Sequence, residues 1–218
     1  MRVYERLFER YGAQHWWPAE TQFEVMIGAV LTQNTDWSNV EKAIDNLKAI
    51  DALSLESLLA LPGDELSTLI RPAGYFNVKR KRLRSLCRFL AQNPALEQLD
   101  TQALREGLLS VHGIGPETAD DILLYAYERP VFVIDAYTRR LFGRLGSIGD
   151  GCGYETLRGG FESALASDVP LFKEYHALIV IHAKAHCRTK PLCGECPLLD
   201  LCAYGRDQLA KEISDAKT

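Results

Sequence analysis

Apolar residues recur every three or four positions along almost the whole chain, the repeat of amphipathic helices. Val3, Tyr4, Leu7, Phe8 and Tyr11 place one such stripe near the N-terminus. Thr21 and Glu24 have the spacing of a capping box ahead of the apolar segment Phe23–Leu31. Asp36 is placed to cap a helix that carries Val40, Ile44 and Leu47 on one face. Short helices are expected over Ser54–Ala60 and Asp64–Ile70, and Gly74 ends that region. Asn77 is placed to cap a helix with Val78, Leu83, Leu86 and Leu90 on its apolar side. Thr101–Ser110 and Pro116–Glu128 flank the tetrapeptide HGIG. The one strand-like run, Val131–Ile134, is too short for a sheet. Asp135–Leu145, Tyr154–Ala166 and Pro170–Ala185 complete an all-α chain. The last dozen residues, polar and charged, are expected to fray.

Composition adds little to this until charge and cysteine are placed. With 218 residues and 47% hydrophobic positions, the chain can bury a sizeable core. No apolar run approaches the roughly 20 residues needed to span a bilayer. The N-terminal MRVYERLFER lacks the apolar centre of a signal peptide. The expectation is a cytoplasmic, nucleoid-associated monomer with no membrane contact. A net charge of −4 speaks against a general polyanion binder. Yet Lys79–Arg84, KRKRLR, places five cations in six residues, either a solvated helix face or a phosphate-contacting one. Four of the six cysteines, Cys187, Cys193, Cys196 and Cys202, fall within sixteen residues. Without a secretory leader, such clustering favours a metal site over disulfides.

HGIG lies between two helical patterns, which makes it a helix–hairpin–helix turn. Gly113 and Gly115 permit positive φ and close backbone approach. Pro116 suits the first position of the second helix, where an N–H would go unused. Amides left open at such a turn can hold a phosphate, although the same sequence also serves as a plain connection. Twenty residues past Gly115 stands Asp135, in VFVIDAYTRRL. The segment LTQNT, the hairpin, this aspartate and the C-terminal cysteines occur in an order that resembles the helix–hairpin–helix, Gly/Pro-rich-loop, aspartate superfamily of DNA glycosylases, in particular its endonuclease III branch. The resemblance covers nearly the whole chain.

It implies an all-α, two-subdomain glycosylase fold with the active site in the cleft between subdomains. One subdomain would span residues 22–132 and contain the hairpin motif at about 102–128. The other would join residues 1–21 to 133–218, with a cluster loop at 187–202. By itself Asp135 is a helix N-cap. The resemblance adds a catalytic role, because breaking an N-glycosidic bond builds positive charge on the sugar and a fixed carboxylate stabilises it. Bifunctional members of the superfamily carry a lysine where this chain has Glu117, and that amine attacks the sugar as a Schiff-base nucleophile. A glutamate cannot do so, so base excision without strand nicking is expected.

Cys187, Cys193, Cys196 and Cys202 are spaced C-x5-C-x2-C-x5-C, one residue shorter in the first gap than the superfamily pattern. A [4Fe–4S] cluster is expected, with zinc as the alternative. The shortened gap still offers Arg188 and Lys190 to DNA. By resemblance Gln33 would fill the hole left by an extruded base, where the plain reading is a polar helix end. Trp16, Trp17 and Pro18 would wall a pocket for that base, against the reading of loop aromatics that close the core. An indole favours a cationic, alkylated base, and WWP followed by LTQNT, with Glu117, resembles the 3-methyladenine glycosylase branch. Lys79, Arg80, Lys81 and Arg82, with help from Arg139–Arg144, would contact phosphates of double-stranded DNA containing a damaged base. The alternatives are a bifunctional endonuclease III acting on oxidised pyrimidines and a non-catalytic iron–sulfur DNA-binding module.

Overall fold

Helix α1 (Arg2–Tyr11) buries Leu7 and stops at Gly12, whose φ of 69° lets its amide turn back to the Phe8 carbonyl. The structure, a computed structural model, describes residues 1–149 and 151–215, without the side chains of 212–215. Contacts divide the chain into two units, residues 17–129 and residues 1–16 with 130–218. No strand occurs among the described residues, and no described helix is long and apolar enough to cross a membrane.

In the unit of residues 17–129, α2 (Gln22–Leu31) is its most buried helix. Thr21 caps it by accepting from the Glu24 amide. The reciprocal half of the box is redirected, because the Glu24 carboxylate takes the Glu20 amide and pairs with Lys48. Helix α3 (Trp37–Lys48) starts at Asp36, whose side chain makes no capping bond, and buries Val40, Ala43, Ile44 and Leu47. Two short helices follow, α4 (Leu55–Ala60) and α5 (Gly63–Leu69). Helix α6 (Phe76–Gln92) begins one residue before the expected Asn77 cap. Tyr75, in left-handed backbone at φ 44°, takes the N-cap position, and its carbonyl accepts from the Val78 and Lys79 amides. Asn77 therefore lies inside the first turn. Helix α7 (Thr101–Leu109), capped by the Asp100 carboxylate, leads into the hairpin and α8 (Pro116–Asp121). Past Asp121 the helix widens into a π-turn over Ile122–Ala126, closed by the Tyr127 amide on the Ile122 carbonyl, all of it buried.

In the other unit, residues 130–134 run extended before α9 (Ala136–Arg144). No second strand pairs with them: the Phe132 amide donates to Glu162 and the Ile134 amide to the Tyr154 hydroxyl. Helices α10 (Tyr154–Ala164) and α11 (Val169–Ala185) surround Phe132, which stacks on Phe161 at 4.4 Å and meets Phe172 and Tyr175 edge-on. The tail departs from the expected fraying. Helix α12 (Ala203–Asp215) starts from the last clustered cysteine, where the Arg206 amide donates to the Cys202 carbonyl. Residues 216–218 of that expected tail lie outside the described residues.

Candidate functional site

The hairpin is fixed from three sides. Between its arms, Arg105 of α7 and Asp120 of α8 form a buried two-bond ion pair at 2.6 and 3.1 Å. Val111 and Ile114 are buried beneath the turn. Above it, Gly113 has a φ of 89°, and a Cβ there would lie 2.3 Å from Arg82 Cγ. A side chain is thus excluded at Gly113 by backbone and neighbour together. Gly115 is the N-cap of α8, and nothing stands within 4 Å of where its Cβ would be. Gly115, Pro116 and Glu117 are exposed at the tip.

Gln33 adds a further support. Its Nε2 donates to the Gly113 carbonyl at 3.1 Å and to the Thr118 hydroxyl at 2.8 Å, while its Oε1 accepts from Arg82. Both N–H groups of the amide are therefore used within this unit. Entering a DNA stack would break all three bonds.

The basic run corrects the expectation of a uniform phosphate-facing strip. Lys79 is only 1% exposed. Its ammonium donates to the carbonyls of Leu31 and Ala73 and to the Thr35 hydroxyl. The reason is helical geometry: Lys79 lies four residues before Leu83 and so shares the face that Leu83, Leu86 and Cys87 bury. Val78, expected on the apolar side, is exposed instead. Burial lowers the Lys79 pKa to about 8, with the charge of Arg82 adding to the effect. Arg84 also turns inward, to the carbonyls of Leu59 and Leu61. Arg80 pairs with Asp64 at 3.3 Å. Lys81 is left in solvent, with Arg82 half-buried across the hairpin glycine.

Two aromatic features accompany these elements. Trp17 packs over Gly28, meets Trp37 edge-on at 5.1 Å and lies tilted against Tyr125. Trp17, Pro18 and Trp37 line a cavity of about 940 Å³, solvent opening included, together with Glu24, Glu41 and Asp45 and with Lys42 and Lys48. Trp16, half-buried, falls in the other unit. Sequence reasoning missed Trp37, since a lone tryptophan at the start of a helix gives no periodic signal. It also missed Tyr75, which is 71% exposed on the turn that Lys79 anchors through Ala73. The Gly74–Tyr75 pair was the available clue.

Asp135 caps α9, with Oδ1 accepting from the Thr138 amide at 2.6 Å, and Oδ2 faces His176 Nε2 at 3.6 Å. At that distance the second contact is not a tight hydrogen bond, and it is an ion pair only when His176 is protonated. Burial pushes this carboxyl upward, but His176 and the Thr138 amide outweigh it and hold the pKa below the usual value. Asp135 is therefore an ionised carboxylate at neutral pH, fixed in place and nearly out of water.

The four clustered cysteines come together. Cys187, Cys193, Cys196 and Cys202 all line one cavity of about 350 Å³, solvent opening included, with His182 and His186. Burial raises the Cys196 pKa, and the three other cysteines add to this. Among the described residues, no three His, Cys, Asp or Glu side chains converge as a single ion would require. Four cysteine sulfurs lining one cavity suit a [4Fe–4S] cluster, whose irons would each take one thiolate. His186, in the same lining, has its Nδ1 buried without a hydrogen-bond partner. These residues fit an iron–sulfur cluster, held by the four thiolates.

Arg139–Arg144 also depart from the expected phosphate contacts. Arg140 donates to the Cys187 carbonyl, and Arg144 to the Arg188 and Thr189 carbonyls and to Cys187 Sγ. Arg139 is held by the Cys152 carbonyl. Arg140 and Arg144 brace the shortened first gap, and Arg188 and Lys190 stand exposed on it.

Comparison with known proteins accords with this geometry. Residues 27–165 match the HhH-GPD superfamily base excision DNA repair protein family, and residues 188–202 match the iron–sulfur binding domain of endonuclease III. A Methanocaldococcus jannaschii protein, provisionally named a DNA repair glycosylase, is 49% identical over 207 residues, covering 92% of this chain and 94% of its own. The Helicobacter pylori 3-methyladenine DNA glycosylase MagIII, solved with 1,N6-ethenoadenine, aligns with a TM-score of 0.73 at 30% identity, over 84% of this chain and 96% of that one. An endonuclease III–DNA complex shares the fold at a TM-score of 0.83 and 21% identity, over 96% of each chain. The hairpin, the capping aspartate and the cysteine cavity thus belong to a member of the HhH-GPD superfamily of base excision DNA repair proteins, a DNA glycosylase carrying a [4Fe–4S] cluster of the endonuclease III kind.

Proposed function

We propose that this glycosylase is monofunctional and removes alkylated bases such as 3-methyladenine from double-stranded DNA. Glu117 carries the proposal: it stands at the hairpin position where a lyase would present an amine. The one lysine of this unit with a strongly lowered pKa, Lys79, has the chemistry a Schiff-base nucleophile needs. Its ammonium, however, is enclosed by three protein oxygens and 1% exposed, so it cannot reach a sugar.

In this reading Asp135 is the catalytic residue. Its negative charge stabilises the positive sugar that develops as the base departs, and it orients or deprotonates the attacking water. Water then adds to the sugar carbon, the base leaves with the bonding pair, and an abasic site remains. Trp17 and Pro18, together with Trp37, form the wall that receives the base. Electron-rich indoles favour a base that carries positive charge. MagIII, similar at 30% identity and solved with ethenoadenine, supports the same substrate class. The exposed tip Gly115–Glu117, with Gly113 behind it, Lys81, Arg82, Arg188 and Lys190 would grip the backbone, and Tyr75 stands ready for contact with bases. Gln33 serves this reading as a strut under the hairpin. The cluster supplies a structural clamp and one-electron chemistry at the cysteine loop.

The test uses duplexes that each hold one lesion: a stable 3-methyladenine analogue, 7-methylguanine, uracil opposite guanine, or thymine glycol. Each reaction is divided, and half is treated with alkali. Breaks that need alkali and occur on alkylated substrates are expected. Breaks without alkali on thymine glycol, with a borohydride-trapped adduct, would replace this reading by a bifunctional one.

A further inference from the structure

The cysteine cavity has one side closed by a chain of hydrogen bonds that the glycosylase chemistry does not use. Tyr11, the last residue of α1, places its hydroxyl 3.0 Å from His182 Nδ1. On the opposite edge of the same ring, Nε2 lies 3.7 Å from Cys196 Sγ. His182 is wholly buried on α11. Helix α1 is also held to the cysteine loop at its other exposed face, where Arg6 pairs with Asp200 at 2.9 Å.

Ligand chemistry orders the protons in this chain. A cysteine that holds a cluster is a thiolate, which can only accept. His182 Nε2 must then carry the proton that faces Cys196, which leaves Nδ1 to accept from the Tyr11 hydroxyl. Without Tyr11 the ring would lose the partner that selects this tautomer. Hydrogen bonds to cluster sulfurs are one of the main means by which a protein sets a cluster's potential. One-electron reduction adds negative charge to the cluster and its thiolates, and an N–H donor stabilises that charge. The donor therefore raises the reduction potential.

We propose that Tyr11 and His182 are positioning residues for the iron–sulfur cluster, and that the Tyr11–His182–Cys196 chain makes its reduction potential depend on the N-terminal helix. The pair acts on Cys196, separately from the amide of Gly205 on Cys202 and from Arg144 on Cys187.

The experiment is voltammetry of the full-length, cluster-loaded protein on a DNA-coated electrode, with iron and sulfide measured for each sample. The variants are Tyr11→Phe, His182→Leu and His182→Gln, and Phe8→Leu is the control on the same helix. Tyr11→Phe is expected to shift the midpoint to a more negative value at unchanged iron and sulfide content. His182→Leu should shift it further, and His182→Gln, which keeps an N–H, should recover part of the shift. Phe8→Leu should leave it unmoved. A wild-type midpoint in both Tyr11→Phe and His182→Leu would overturn the proposal, as would an equal shift in Phe8→Leu. If His182→Leu does not assemble its cluster, Tyr11→Phe decides alone by the same criterion.

Discussion

Gly113→Ala, made with and without Arg82→Ala, separates the two constraints on the hairpin. A Cβ in left-handed backbone costs about 1–2 kcal/mol wherever it is placed. At Gly113 the new methyl would also stand 2.3 Å from Arg82 Cγ and 2.8 Å from its Cδ, far inside van der Waals contact. The arginine must swing away, releasing Gln33, and such overpacking costs about 1–3 kcal/mol. The single variant should therefore lose about 2–5 kcal/mol. Arg82→Ala alone forfeits its charged hydrogen bond to Gln33, about 1.5–3 kcal/mol. In the Arg82→Ala background the three atoms nearest the methyl are gone, and Gly113→Ala should then cost little beyond the backbone part. The coupling between the two sites is thus expected at about 1–3 kcal/mol in the relieving direction. Urea denaturation followed by far-ultraviolet circular dichroism measures all four proteins, and binding to a duplex with an abasic analogue reports the hairpin. An identical cost of Gly113→Ala in both backgrounds would refute the packing of Arg82 over the glycine.

Other outcomes follow from single features. Asp135→Asn keeps a side chain able to cap α9, so folding and DNA affinity should change little, while single-turnover excision falls by at least about 100-fold. Because the Asp135 pKa is lowered, its stabilising contribution is complete above the ordinary carboxylate range and is lost only as the pH falls through the lowered value, which an acid titration of stability in wild type and Asp135→Asn would show. Lys79, whose pKa is also lowered, gives the same sign of pH dependence, at alkaline pH. With a folded pKa of about 8 against 10.5, the native state gives up its proton first, so wild-type stability should rise by roughly 3 kcal/mol between those values relative to Lys79→Met. Asp120→Ala strands Arg105 in the core and should cost about 3–5 kcal/mol, read by the same urea titrations. Cys196→Ser should lower iron and acid-labile sulfide from about four atoms each per chain, and stoichiometric zinc in the wild type would contradict the cluster assignment.

What the sequence determined by itself was everything carried by repeat and spacing. Helical periodicity marked the all-α fold, because an apolar stripe must be buried wherever it occurs. HGIG with Pro116 marked the hairpin, because the turn admits few residues. Four close cysteines marked a metal site, with an iron–sulfur cluster expected and zinc as the alternative, because thiolates so dense serve as ligands. Glu117 was informative as a departure from an expected lysine.

The assignments that tertiary structure decided were those that depend on which face a residue presents. KRKRLR looked like one basic strip, yet about 3.6 residues per turn send Lys79 and Arg84 inward and keep Lys81 out. The arginines of α9 looked like phosphate ligands and instead hold the cysteine loop, because the carbonyls of 187–189 need donors and lie beside them. Gln33 became a strut, and Trp37, Tyr75, Tyr11 and His182 emerged as contributors, only once distant segments were brought together. A linear pattern records a residue's own propensity and that of its neighbours in the chain. Partners up to 194 positions apart, as Arg6 and Asp200 are, are chosen by packing.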